Sequence, residues 1–288
     1  MTATNADRMA RAGLDARVAD LDRRLVALGS VLVAFSGGAD SAFLLAAAVG
    51  ALGPEPVVAA TAVSASLAGG ELDRAASFAT GLGVRHETPG TQEMARAGYR
   101  ANAGDRCYFC KGELLDVLGP LATRLGLRAV ATGTNADDAV AGFRPGIRAA
   151  AERGAVTPLR DAGFTKAQVR AASRDWGLPT WDKPAAACLS SRVAYGVTIT
   201  PARLATVDRA EIRLRAALVT RGFAVRNLRV RDLGGGRARV EVDAPLVAAL
   251  AGRDDLLAVE GFDRVEVDPR GFRSGSMNEL LAEPDGYR

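Results

Sequence analysis

Apolar positions along this chain follow two periods that alternate through its first two hundred residues. Leu14, Val18, Leu21, Leu25 and Leu28 fall at steps of three and four, the spacing of one helix face, so an amphipathic helix is expected over 14–28. Strand-like runs at 31–35, 57–63, 84–88 and 128–132 are separated by alanine- and leucine-rich stretches of helical length. Such alternation is the signature of right-handed βαβ units, and it predicts an α/β fold with a doubly wound parallel sheet.

Beyond about Tyr195 the texture changes. Thr200-Pro201 opens a helix with Leu204, Val207, Leu214 and Leu218 on one side. Two alternating segments, 224–233 and 237–242, hinge on Gly234-Gly235-Gly236 and read as a β-hairpin. A helix near 245–258, a strand at 263–268 and a loose helix from Ser274 complete a small α+β domain. The expected division is 1–195 for nucleotide binding and 196–288 for substrate binding and oligomerisation.

Composition narrows the class. With 288 residues, 48% hydrophobic and 24% charged, the chain has the make-up of a globular protein with a sizeable core. No apolar run approaches the ~18 residues that span a bilayer, and the first residues hold no apolar signal core, so a cytoplasmic protein without membrane contact is expected. Net charge is +4, and in the last 88 residues 15 Arg face 14 Asp plus Glu. The absence of a basic lobe argues against a nucleic-acid partner. Of 37 basic residues only Lys111, Lys166 and Lys183 are lysines. A chain so biased to arginine keeps lysine where a compact ammonium on a thin stem matters.

The run Val31 to Phe35 leads into Ser36-Gly37-Gly38-Ala39-Asp40-Ser41, joining a buried strand to a glycine turn that opens a helix. Adjacent glycines remove the Cβ atoms that would keep an anion off the backbone, so the amides of Gly37 to Ser41 can converge on phosphate at the positive end of a helix dipole. Ser36 and Ser41 add hydroxyls. A Walker loop is excluded, because it needs a lysine and none precedes Lys111. The turn resembles the PP-loop of the ATP pyrophosphatases. That resemblance implies ATP with Mg²⁺ bridging its phosphates, and transfer of AMP rather than phosphate. The exit of the second strand, beginning at Thr61, falls at the same sheet edge and is expected near the adenine. Thr134, Asn135, Asp137 and Asp138 follow the fourth strand at that edge. Two carboxylates beside a phosphate site are reasonable with a divalent cation between them, although Asn135 or Asp137 would equally serve as a helix cap.

Cys107 and Cys110 form a C-x-x-C pair, and Cys188 is the third and last cysteine. A structural disulfide is not expected in a cytosolic protein, which leaves a metal centre, a redox dithiol or a nucleophilic thiolate. Structural zinc wants four protein ligands, and the sole histidine, His86, lies within a strand. Three thiolates can hold a [4Fe-4S] cluster and leave one iron open.

Cys-Tyr-Phe-Cys-Lys at 107–111, Gly-Thr-Asn-Ala-Asp-Asp at 133–138, Arg-Pro-Gly at 144–146, Thr-Pro-Leu at 157–159 and Ala-Cys-Leu-Ser-Ser-Arg at 187–192 together resemble the LarE family. Its members are ATP-dependent sulfur transferases that convert carboxylates of a pyridinium mononucleotide to thiocarboxylates, on the way to a nickel-pincer cofactor. The resemblance runs from about residue 10 to 275. In single-cysteine members the cysteine matching Cys188 gives up its sulfur and becomes dehydroalanine. Cys107 and Cys110 depart from that pattern and match the three-cysteine branch, in which a [4Fe-4S] cluster is thought to deliver an extra sulfide from a sulfide donor.

Physically, adenylation removes the charge that makes a carboxylate a poor electrophile, and pyrophosphate leaves against the loop amides. Arg192 is expected to stabilise the Cys188 thiolate or to orient the acyl phosphate. Arg229 and Arg231, two apart on one strand, point to one face and suit a clamp for the substrate phosphate. Glu211 and Glu241 are further candidate ligands. The family resemblance implies a homo-oligomer, specifically a hexamer. Rival readings are a PP-loop tRNA thiolase with a cluster, an amide-forming synthetase of the GMP or NAD synthetase kind, and an adenine nucleotide sensor.

Overall fold

The four strand-like runs form parallel strands: β1 (Val31–Ala34), β2 (Val57–Ala60), β3 (Arg85–Glu87) and β4 (Ala129–Thr132). Their order is β3-β2-β1-β4, so the chain reverses its direction of travel at β1. With right-handed crossovers this places helices on opposite faces of the sheet. The packing agrees. Val31, Val33 and Phe35 join the core made with helices Asn5–Leu28, Ala39–Leu52 and Lys166–Asp175, whereas Leu32 packs with Leu118, Leu121 and Ala122 of helix Arg106–Arg124. A strand covered on both faces must be apolar at every position, which is why β1 and β2 read as continuous runs rather than alternations. The expected α/β class with a parallel sheet is what the chain forms.

The computed structural model describes residues 5–140, 144–184 and 187–281. They fall into two compact units that do not follow chain order. The first comprises Met1–Val63, Gly70–Thr91 and Cys110–Lys183, and the second Ser64–Gly69, Gln92–Phe109 and Pro184–Arg288.

The second unit carries its own sheet, β5 (Leu228–Gly234), β6 (Arg237–Val242) and β7 (Arg264–Val267). β5 and β6 are the expected antiparallel hairpin, turned by three glycines that all have positive φ. β7 pairs parallel to β6, which requires a crossover. Two short helices supply it, Ala244–Leu250 and Asp254–Leu257, where one helix over 245–258 was expected. Gly252, at φ +75°, divides them, because a right-handed helix cannot pass through a left-handed residue. Helix Pro201–Thr220 starts as its sequence suggests, with Thr200 Oγ1 accepting from Arg203 N at 3.2 Å, and it buries Leu204, Val207, Leu214 and Leu218. The segment after Ser274 forms a 3₁₀ turn at Ser276–Leu280. Among the described residues no helix is long and apolar enough to cross a membrane.

Candidate functional site

At the carboxyl end of β1 the 36–41 turn is built as its glycines require. Gly37 sits at φ +68°, a conformation that an L side chain strains. Ser41 Oγ donates to Gly38 O at 3.1 Å and lies 3.2 Å from Ser36 Oγ, so both hydroxyls meet over the turn. Gly38 is the N-cap of helix Ala39–Leu52 and offers no side-chain acceptor, leaving the first-turn amides without one. Such a terminus favours anions. Gly133 packs beneath it. A Cβ there would lie 2.9 Å from Ser41 N and 3.1 Å from the carbonyl carbon of Asp40, so the residue that opens the 133–138 motif must be glycine for the turn to rest against it.

Cations reach this turn from far along the chain. Lys166 forms an ion pair with Asp40 Oδ2, and Lys183 Nζ donates to Gly37 O at 2.9 Å and to Glu71 Oε2 at 2.7 Å. Two of only three lysines therefore converge on one turn, and lysine scarcity was the one sequence signal that marked them. The other oxygen of Asp40, Oδ1, is buried and has no hydrogen-bond partner among the described residues. Glycine cradle, two ammonium groups and an unused carboxylate oxygen fit a polyphosphate accompanied by a divalent cation.

The other expected nucleotide residues are held within the same unit. Asn135 Oδ1 accepts from Asp138 N at 3.1 Å while Asp138 Oδ2 accepts from Asn135 N at 3.2 Å, a reciprocal cap on helix Ala136–Val140. Asp138 Oδ1 also pairs with Arg144 at 3.2 Å, and Asp137 accepts from Lys166 N at 2.7 Å. Thr134 Oγ1 lies 3.1 Å from Thr132 Oγ1. Thr61 is buried and donates to Phe35 O at 2.7 Å; its oxygen lies 2.8 Å from His86 Nε2, which therefore carries the proton in that contact. Burial pushes the His86 imidazole below its ordinary value, with Glu87 opposing.

Cys107 and Cys110 stand in the first turns of helix Arg106–Arg124, three apart and hence on one side of it. Cys107 is exposed and Cys110 half-buried. Cys188, also exposed, precedes the 3₁₀ turn Leu189–Arg192. Within the second unit Arg106 ties these segments together. Its guanidinium is buried, donates to Ser190 O at 3.0 Å and to the Asn102 side chain, and lies 5.2 Å from the Tyr195 ring centroid. Burial pushes Arg106 down, but the negative charge of Cys107 and then Cys188 outweighs that and holds it above its usual value. Arg106 is thus a cation that interacts electrostatically with both cysteines, and its place beside Cys107 was the clue in the sequence. Arg192 instead spends its donors on Glu211, at 2.9 and 3.2 Å, and on the carbonyls of Ala187 and Cys188, fixing the backbone of the Cys188 turn. Three thiols of which two are exposed, with a cation nearby, are a donor set suited to an iron–sulfur cluster. Among the described residues no three His, Cys, Asp or Glu side chains stand together as a metal-binding group.

Arg229 and Arg231 lie on β5, 9% and 5% exposed, in the same unit as Arg192 at 3%. Arg231 pairs with Glu241 at 2.7 Å and also donates to Ser276 Oγ and Ser191 O, while its Nε is buried with no partner among the described residues. Arg229 stacks 5.4 Å from the Phe272 ring centroid. Burial first, then the neighbouring charge of Arg192, lowers it to about 10. Arg192, Arg229 and Arg231 are thus buried guanidiniums in one unit, with Glu211 paired to Arg192 and Glu241 to Arg231.

Fold and site together define an α/β protein that presents a glycine turn at the carboxyl edge of a parallel sheet, with a cysteine trio and a buried arginine cluster. No family model matches the chain. It is 40% identical over 278 residues to an uncharacterized protein of Synechocystis sp., covering 94% of this chain and the whole of that protein. It is 33% identical over 276 residues to the pyridinium-3,5-bisthiocarboxylic acid mononucleotide synthase of Lactiplantibacillus plantarum, covering 94% of this chain and 97% of the relative. The chain belongs to the LarE family, to which that synthase belongs.

Proposed function

We propose that this protein is an ATP-dependent sulfur transferase that converts a carboxylate of a pyridinium mononucleotide to a thiocarboxylate in nickel-pincer cofactor biosynthesis. The observation that carries the nucleotide half is the 36–41 turn, where Gly37, two serine hydroxyls, two lysines and the unpartnered Asp40 Oδ1 surround one helix terminus. The turn amides would hold the β and γ phosphates, and Asp40 with Asp137 or Asp138 would hold Mg²⁺. A substrate carboxylate oxygen attacks the α-phosphorus, pyrophosphate leaves, and the acyl adenylate then loses AMP to a sulfur nucleophile.

Cys107, Cys110 and Cys188 would hold a [4Fe-4S] cluster, which when bound would supply that sulfur and would be reloaded by a sulfide donor. Arg106 offsets thiolate charge and anchors the Ser190 backbone, and Arg192 fixes the turn that carries Cys188. Arg229 and Arg231 would take the substrate phosphate, supported by their burial two apart on β5 beside Arg192. Family membership supports a homo-oligomer.

The test is anaerobic purification with iron and sulfide analysis, then incubation with ATP and the pyridinium biscarboxylate mononucleotide. Pyrophosphate release, a thiocarboxylate product and about four irons per chain are expected, with unchanged protein mass. Iron-free protein that loses the elements of hydrogen sulfide at Cys188 would replace the cluster with sacrifice of that residue. No pyrophosphate release would overturn the adenylation reading.

A further inference from the structure

Outside the cysteines and the arginine cluster, the least expected feature is an acid at the anion-binding turn. Glu71 opens helix Glu71–Gly81, and its Oε2 would lie 3.9 Å from a Cβ built on Gly37. A carboxylate so placed repels any phosphate that approaches the Gly37 and Gly38 amides. In this structure it is neutralised by Lys183, whose Nζ is 2.7 Å from Glu71 Oε2 and 2.9 Å from Gly37 O. The pair is largely shielded, with side chains 19% and 15% exposed. Glu71 has a second cation. Arg74 Nη2 lies 2.8 Å from its Oε1, so the carboxylate keeps a partner if Lys183 departs. Lys183 has a third ammonium proton beyond the two that it donates here. Its side chain is a single flexible stem, able to swing without disturbing the loop backbone.

We propose that Lys183 and Glu71 are an internal counter-ion pair that nucleotide binding breaks: Lys183 transfers its ammonium from Glu71 and the Gly37 carbonyl to the polyphosphate, and Glu71 is retained by Arg74. The turn is thereby kept electrically satisfied when empty, and it selects ligands that carry phosphates beyond the α position. This deepens the proposed ATP reading and rests on it. Burial would raise the Glu71 carboxyl, yet the hydrogen bonds from Lys183 and Arg74 hold it below its ordinary value, in keeping with a carboxylate that remains charged through the exchange.

The experiment is calorimetric titration of the full-length protein with Mg-ATP and, separately, with AMP, using wild type, Lys183→Met and Glu71→Gln, with thermal melts to verify folding. Lys183→Met is expected to weaken ATP by about tenfold or more, the loss of a charge-assisted contact, and AMP by less than about twofold. Glu71→Gln is expected to bind ATP more tightly than wild type, since the competing acid is gone and Lys183 is released. A purely structural ion pair predicts the reverse for Glu71→Gln and equal losses of ATP and AMP for Lys183→Met, and either result overturns the proposal. If Lys183→Met does not fold, Glu71→Gln alone decides. Wild type that binds AMP but shows no preference for ATP also overturns it, whereas wild type that binds neither nucleotide refutes the ATP reading itself.

Discussion

Replacing Gly133 with alanine puts a single methyl group against the backbone that forms the phosphate turn. The added Cβ would stand 2.9 Å from Ser41 N, 3.1 Å from the Asp40 carbonyl carbon and 3.1 Å from Ser41 Cα, against ordinary contacts of 3.4 Å or more. All three neighbours are main chain at the start of helix Ala39–Leu52, so no side chain can rotate away, and the turn must shift by about 0.5 Å. Overpacking of this kind costs about 1–3 kcal/mol, read as a lower denaturant midpoint at unchanged slope. ATP affinity should fall by about tenfold or more, because the displaced atoms are the ones that would meet phosphate. Gly50→Ala is the matched control: it lies in the same helix with nothing within 4 Å of its added Cβ, and it should stabilise by about 0.5–1 kcal/mol without altering binding. Gly133→Ala protein with wild-type midpoint and wild-type ATP affinity would refute the claim that the 133–138 motif begins with glycine in order to seat the turn.

Other expectations are independent of that one. His86 is the only histidine, so one imidazole signal can be followed by NMR, and its midpoint should fall below about 6.5. Because the fold favours its neutral form, the stability this group contributes is complete above that value and is lost as pH falls through the lower folded pKa; a midpoint at or above 6.5 would contradict the burial argument. Glu241→Gln leaves Arg231 buried without its countercharge and should cost about 3–5 kcal/mol in chemical denaturation, and a loss under about 1 kcal/mol would show that the pair is not buried in solution. Cys107→Ser should abolish both sulfur transfer and bound iron if the cluster operates, so substantial activity in that variant would count against it.

The local half of this fold was legible in the sequence. Strands β1, β2 and β4, helix Pro201–Thr220 and the β5–β6 hairpin follow from apolar runs, a Thr-Pro start and a glycine run, all signals carried by neighbours in the chain. The break at Gly252 was not read, because a lone glycine in an apolar pattern does not declare its φ. Pairings across more than eighty residues left almost no local trace: Lys183 with Glu71, Lys166 with Asp40 and Arg106 with the Cys188 segment arise only when the tertiary fold brings their carriers together. Of the candidate residues, the 36–41 turn was readable because glycine at φ +68° is a backbone demand written in one residue. The arginines of β5 were readable as a pair on one face but not as buried groups, since period two does not say which face is covered.

The order in which the chain builds its two units constrains how it can be cut. It passes between them at 63/64, 69/70, 91/92, 109/110 and 183/184, so each unit is stitched from three separate stretches. A fragment ended at residue 195, where the composition changes, would carry 64–69 and 92–109 but lack the hairpin and long helix that complete their unit. Neither half is therefore separable by a single cleavage, and a terminal deletion should unravel inherited contacts on the amino side as well.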